Sequence, residues 1–448
     1  MGVMTAPLRH SLLLSLTLAA AAFCRADDES GTFLPHVESL AALRALDPQN
    51  ARSGEPVHVA HHTHPGDPGG GTFVWQPDLD YQWPPEPDNP EVYPGHRPGD
   101  NNGTVIRPDK IPPGRPGRWV RRVYLASGPR LVRPDWFGAR PNQPDFDSAP
   151  AIQAAHDSLP IVTFGVGPAP TGRHIRPGAV RLGAGDYSIG GTLYQSSRTS
   201  LSGEGSDITS ISAMVGKFDD PAPGAETWMV RWELPENVSL NNNFNCRLED
   251  VSIRGNAPLS SSANRSVSGV RIQGAQGSWM RDVIFYRFAK RGTDCAVSIL
   301  GSCWFADARE GPLIDLSGGP GYQFGNLSIE HVNPEGKHID QETGLPVAAL
   351  RIRNVILANF QQVQFETSPV NCSIVDGRHL TFNAVIVNRS GAPGTRTFHI
   401  QGDSYNNRFR EHFYYLGGKA DDFRIYNDSI IAKRDDATGE IYDKVILK

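Results

Sequence analysis

The chain has 448 residues, 39% of them hydrophobic and 20% charged, with 46 Gly and 36 Pro. That length suits one elongated domain plus a smaller module, and so turn-rich a composition favours β-structure over a helical bundle. A net charge of -5 argues against nucleic acid as a partner, because phosphates demand basic patches.

The chain opens on a processing signal. Arg9 and His10 precede an apolar run from Leu12 to Phe23, too short to span a bilayer. Cys24-Arg25-Ala26 follows as a cleavage site, so residues 1–26 read as a signal peptide cut after Ala26. Lipidation of a retained Cys24 is the weaker alternative, since bulky Phe23 precedes it. The expected product is secreted or periplasmic, with no membrane span.

Residues 27–130 read as a β-rich module. Val37 to Leu46 carries apolar residues at helical spacing, and Val57 to Ala60 reads as a strand. Gly69-Gly70-Gly71 turns into Thr72-Phe73-Val74-Trp75, a Pro-rich loop runs from Gln76 to Asp100, and strands are expected over Thr104–Arg107 and Gly117–Arg121. His58, His61, His62 and His64 invite a metal reading, but the run heads into a Pro/Gly loop, and a solvated loop is the expectation.

Residues 131–432 form the main domain, and 433–448 a tail. Trp136-Phe137-Gly138-Ala139 precedes a short helix, with Asp147 or Ser148 as its N-cap and Pro150 in its first turn. Such a helix can plug the end of a solenoid. Beyond Val180, brief β-prone runs are separated by Gly-rich corners: Val180-Arg181-Leu182, Gly185-Asp186-Tyr187, Leu201-Ser202-Gly203-Glu204-Gly205 and Thr209-Ser210-Ile211. An imperfect repeat of the form apolar, any, Asp or Asn, apolar, any, apolar recurs at Leu248–Ile253, Met280–Phe285, Phe324–Ile329 and Ile352–Leu357. The Asp/Asn suits a corner, where its side chain bonds nearby backbone. A chain that keeps turning and stacking on itself is a solenoid.

These residues resemble the pectate-lyase-like superfamily, and within it the rhamnogalacturonase- and epimerase-like subfamily related to phage tailspike head regions. Pro65-Gly66-Asp67 and Asn102-Gly103-Thr104-Val105-Ile106 resemble the module that often precedes its helix. The resemblance implies an all-β fold: a right-handed, single-stranded parallel β-helix with a short N-terminal capping helix and the small β-rich module. Family members usually carry a Gly-Asp-Gly turn and paired aspartates before the capping helix. Here Arg140 to Phe146 replaces that turn and only Asp147 remains, a change expected to bear on how the cap packs.

The resemblance further implies a carbohydrate-active protein that acts on acidic, uronate-containing polysaccharide, first as a lyase working by β-elimination. The alternatives are a glycoside hydrolase of pectin-like polysaccharide and a non-catalytic glycan-binding or attachment β-helix. A lyase needs a base for the C5 proton and cations for the uronate carboxylate, whereas a hydrolase needs paired carboxylates. The candidate catalytic residues are Arg287, Lys290, Asp307, Glu310 and His331, with Lys290 or Arg287 as base or carboxylate partner. Arg281, Trp279, Trp304, Tyr322 and Lys337 are the candidates for substrate binding, the aromatics by stacking on sugar rings. Glu330 belongs to the same run, while Glu366 and His379 are weaker candidates in later coils. Asp250 and Asp282 are expected to bond turn backbone rather than to react. No metal site is expected and no cofactor is required; Ca²⁺ stays an option, although it needs clustered carboxylates and none stands out. A monomer is expected, with a trimer as the alternative. Cys295 and Cys303 are spaced to close a small disulfide loop in an oxidising compartment, or else to stack inside as small hydrophobes.

Overall fold

The computed structural model describes residues 35–81, 97–127, 130–162, 175–220, 222, 224–233, 243–257, 263–272, 275–333, 335–388, 396–415 and 425–429. The signal peptide and the C-terminal tail read from the sequence lie outside these residues. Among the described residues no helix is long and apolar enough to cross a membrane.

The first part of the chain folds as a five-stranded sheet with its own apolar core. Leu40, Leu43, Val57, Val59, Phe73 and Trp119 fill it, and the Arg44 guanidinium is forked onto the buried Asp100 carboxylate at 2.7 and 3.0 Å. The expected helix begins later than its apolar spacing suggests. His36–Ser39 is extended and pairs in parallel with Pro56–His61, and the helix covers only Leu40–Ala45. Ser39 decides the boundary, because its hydroxyl accepts the Ala42 N–H and ends the extended segment there. The strand expected over Thr104–Arg107 is confined to Val105–Ile106, and a helix over Arg122–Ser127 was not foreseen. The histidine run is not a solvated loop throughout. His58 and His61 lie on a strand, and His62 is buried against Thr63 and the Asn102 carbonyl.

The capping helix runs over Ala149–Asp157. Asp147 makes the start: one carboxylate oxygen accepts N–H groups from Ala149 and, in the first coil, Gly190. Ser148 makes no side-chain cap. At the other end of this helix His156 is fully buried, with Nδ1 2.8 Å from Asp157 and Nε2 3.2 Å from the Ser196 hydroxyl. Ser196 is itself buried and also accepts the Arg176 N–H, so this Ser-His-Asp set fastens the cap to the first coil and faces no solvent.

From Gly178 to Ser429 the described residues form a right-handed parallel β-helix. Its nine-stranded sheet contributes one strand to each coil, from Leu193–Ser196 in coil 1 to Ile425–Ser429 in coil 9. This sheet is face 3. In coils 1 to 4 the remainder of each turn is two short strands, face 1 and face 2, as in Trp279–Arg281 and Ile284–Phe288 of coil 4. From coil 5 the two fuse into long strands, Ser298–Ala308, Pro320–Val332, Ile356–Glu366 and Arg378–Asn388.

The corner explains the fusion. Asp250 and Asp282 take left-handed backbone, φ 55 and 50°, which Asp tolerates better than most side chains. In coil 5 the equivalent position is Gly301, φ 71°, where a Cβ would sit 2.2 Å from Asp282 Oδ1. Asp282 instead accepts the Ser302 N–H from below and flattens the bend above it. The sequence repeat therefore holds in part. Asp250 and Asp282 are in register, but Asn326 lies within a strand, and Asn354 turns the different corner between faces 3 and 1.

Each face sends one row of side chains inward. On face 1 the row is Val180, Leu201, Leu248, Met280, Ile299, Phe324, Phe360, Phe382 and Phe409, each paired with the next. On face 2 it runs Tyr187, Ile211, Ile253, Phe285, Phe305, Ile329, Phe365 and Val387. The disulfide is not formed: all four described cysteines are free and buried. Cys295 lies on face 3 and Cys303 on the long strand of coil 5, and burial pushes their thiols up to about 12 and about 11. Thiolate is the reactive form, so these four thiols are expected to ignore a disulfide-exchange reagent in native buffer and to react only on denaturation. Rapid titration of any of them in the folded protein would contradict this packing.

Candidate functional site

On face 2 the strands do something that alternation alone does not predict. At the end of each strand from coil 4 to coil 7, two consecutive residues point outward, the second in left-handed backbone: Tyr286-Arg287, Ala306-Asp307, Glu330-His331 and Glu366-Thr367. The φ angles of the second residues are 63, 61, 54 and 50°. The flanking pairs Phe288 with Ala308 and Ala308 with Val332 keep these bulges in register. Arg287, Asp307 and His331 therefore stack as a column on three successive coils, at the roughly 4.8 Å spacing of paired strands. His331 Nδ1 lies 3.4 Å from Asp307 Oδ1, and both groups are part-exposed. Arg287 is exposed and makes no ion pair among the described residues.

Beside the column lies an aromatic platform. Tyr286 and Trp304 stack at 6.0 Å with their planes 27° apart, and Trp304 is 38% exposed. Arg254 and Arg287 approach the Tyr286 ring at 5.3 and 5.7 Å. One coil further, Glu330 pairs in register with Glu366, and the Ser328 hydroxyl donates to Glu330 at 2.8 Å. Aromatic stacking surface, two guanidiniums, a His–Asp pair and two adjacent carboxylates thus share one outer strip of coils 3 to 7. Among the described residues no group of three or more His, Cys, Asp or Glu converges to hold a metal ion.

The other sequence candidates fall elsewhere. Lys290 and Glu310 form an ion pair with each other at the corner between faces 2 and 3. Lys290 is thus engaged with Glu310 at that corner and is not part of the column. Trp279 lies on face 1, its ring covered by Arg247 at 4.1 Å and its Nε1–H donated to Glu249 at 2.6 Å. Arg281 is beside it, 3.5 Å from Glu249. Lys337 is in an exposed loop, paired with Glu335. Tyr322 is not a stacking platform: it is buried in the core and its hydroxyl donates to the Gly318 carbonyl at 2.6 Å. The Gly318-Gly319-Pro320-Gly321 turn leaves room for that ring to fold inward. Tyr286 and Arg254 were missed. Only the register shows them, since Arg254 meets Tyr286 across 32 positions of sequence, the spacing of one coil plus its loop.

No family model matches the sequence. Among solved structures, the chain is similar to the enzymatically active domain of tailspike protein 2 from bacteriophage CBA120, with 14% identity and a TM-score of 0.51, covering 89% of this chain and 55% of that one. It is likewise similar to full-length tailspike protein 2 from an Escherichia coli O157:H7 bacteriophage, with 15% identity and a TM-score of 0.52, covering 89% and 50%. The chain thus spans about half the length of these proteins. What they share with it is the parallel β-helix fold.

Proposed function

We propose that this chain is an exported glycan-cleaving enzyme that binds an acidic polysaccharide along face 2 and breaks it by β-elimination. The observation that carries the reading is the Arg287–Asp307–His331 column. β-Elimination asks for a cation at the uronate carboxylate and a base at the adjacent C5 proton, and the column carries both groups, on strands two coils and about 10 Å apart. Nδ1 of His331 faces Asp307, which leaves Nε2 to take the C5 proton. The C5–H electron pair forms the C4–C5 double bond, the C4–O4 bond breaks, and the leaving oxygen takes a proton from water or from the imidazolium. Arg287 stabilises the charge that builds on the carboxylate, and Trp304 with Tyr286 gives a neighbouring sugar a stacking surface. The similar phage domain is described as enzymatically active, which agrees with a catalytic use of this fold.

Hydrolysis is the second reading, favoured by the Glu330–Glu366 pair. Adjacent parallel strands set outward side chains about 5 Å apart, the carboxyl separation of a retaining glycosidase. The two readings part in one assay. Incubation with a panel of acidic polysaccharides, with and without Ca²⁺, is expected to raise the absorbance of unsaturated uronate. New reducing ends with flat absorbance would transfer the argument to Glu330 and Glu366. Binding without either product would leave an attachment protein.

A further inference from the structure

Past the Lys290–Glu310 corner, face 3 carries a cleft of about 440 Å³ that the reaction on face 2 does not use. Its volume falls in the range of small-ligand sites. Asp315 lies beneath it, fully buried, and collects N–H groups from Arg291 at 2.9 Å, Arg351 at 3.1 Å and Arg353 at 3.2 Å. Burial pushes the Asp315 carboxyl up, but hydrogen bonding and charge from Arg351, then Arg353 and Arg291, outweigh it and hold it below the ordinary range.

The charges around the cleft are spent in pairs. Arg291 is forked onto Glu226, Arg351 reaches Asp340 at 2.9 Å, and Lys290 holds Glu310. Arg353 differs. Its Nη2 donates to both Asp315 oxygens at 3.2 Å, but its Nη1 stands 4.0 Å from Glu342, beyond hydrogen-bond reach. Four cations and four carboxylates line the cleft and the Asp315 carboxylate lies beneath it, so an anionic ligand meets no net opposite charge there. Arg353 offers unspent donors beside the acceptor oxygens of Glu342, and adjacent hydroxyls of a sugar ring accept and donate in that way.

We propose that this cleft is a second glycan site, selective for an uncharged hexose residue, with Arg353 donating to one ring hydroxyl and Glu342 accepting from its neighbour. It is independent of which bond face 2 breaks, and its binding survives loss of His331. The test is calorimetric titration of the full chain carrying His331→Asn with gluco-, galacto- and manno-tetrasaccharides free of uronic acid, and separately with a uronate tetrasaccharide. At least one neutral tetrasaccharide is expected to bind, and Arg353→Ala to weaken it about tenfold or more, as loss of a charged hydrogen bond does. Glu342→Gln, at an exposed loop position, must weaken it too, and covers the case in which Arg353→Ala lowers the melting temperature. Uronate binding on face 2 is expected to be unchanged by either. Failure of all three neutral sugars to bind, indifference to both substitutions, or a uronate as the ligand lost from the cleft would each overturn the assignment.

Discussion

His331→Asn is expected to slow uronate elimination about 10²–10⁴-fold, the range general acid–base catalysis contributes, with little change in melting temperature. Asparagine is the right probe because His331 sits in left-handed backbone, φ 54°. Asn tolerates that conformation well, whereas Ala would add backbone strain to the loss of the imidazole. Arg287→Gln, on the exposed end of the column, is expected to lose about 10²–10³-fold through the charge it no longer stabilises. Asp307→Asn keeps its neighbour's position but not the charge beside it, and should lower the rate less than His331→Asn. The double variant Asp307→Asn/His331→Asn should fall no further than His331→Asn alone, since Asp307 acts through the imidazole. Initial rates from the unsaturated-uronate absorbance check all four. Full activity in His331→Asn would remove the column from the mechanism and return the question to Glu330 and Glu366.

The fold was legible because its determinants are local. Gly-rich corners and short alternating runs such as Val180–Leu182 and Leu201–Gly205 announce strands too short for anything but a stacked coil, and Asp250 and Asp282 mark corners their side chains suit. The site was legible only in outline. Arg287, Asp307 and His331 are separated by 20 and 24 positions in the sequence, intervals set by loops on the far side of each coil. Their meeting depends on register, which one outward bulge per coil preserves and no single-strand pattern reveals. The same blindness to register placed Tyr322 outside. It lies two residues before the inward Phe324 and in register with the buried Ala358, so alternation along its own strand turns the ring inward. Lys290 reads in the sequence as base or carboxylate partner because Glu310, its ion-pair partner, lies a whole coil later. Charged residues one coil apart are nearest neighbours here, so an ionic side chain in a solenoid has to be read with the residue above and the residue below it.

That vertical neighbour rule also governs stability. Phe360 is fully buried between Phe324 at 4.2 Å and Phe382 at 4.4 Å, with all three planes within 5° of their neighbours. Phe360→Ala is expected to cost about 3–5 kcal/mol, from lost transfer energy, the cavity, and two stacked contacts that each add roughly 0.5–1.5 kcal/mol. The β-strands on either side are hydrogen-bonded along their length and cannot move together to close the gap. Because each coil touches only the next, the loss falls on the interfaces of coil 7 with coils 6 and 8 and is not shared by the whole chain. Urea unfolding should therefore separate into two transitions, the later coils melting first and the capped coils keeping their wild-type midpoint. Phe409→Ala, at the half-buried end of the same stack, should cost less and leave unfolding in one step. A single transition in Phe360→Ala with a loss under about 1 kcal/mol would mean that the phenylalanine stack is a spectator and that the backbone ladders alone couple the coils.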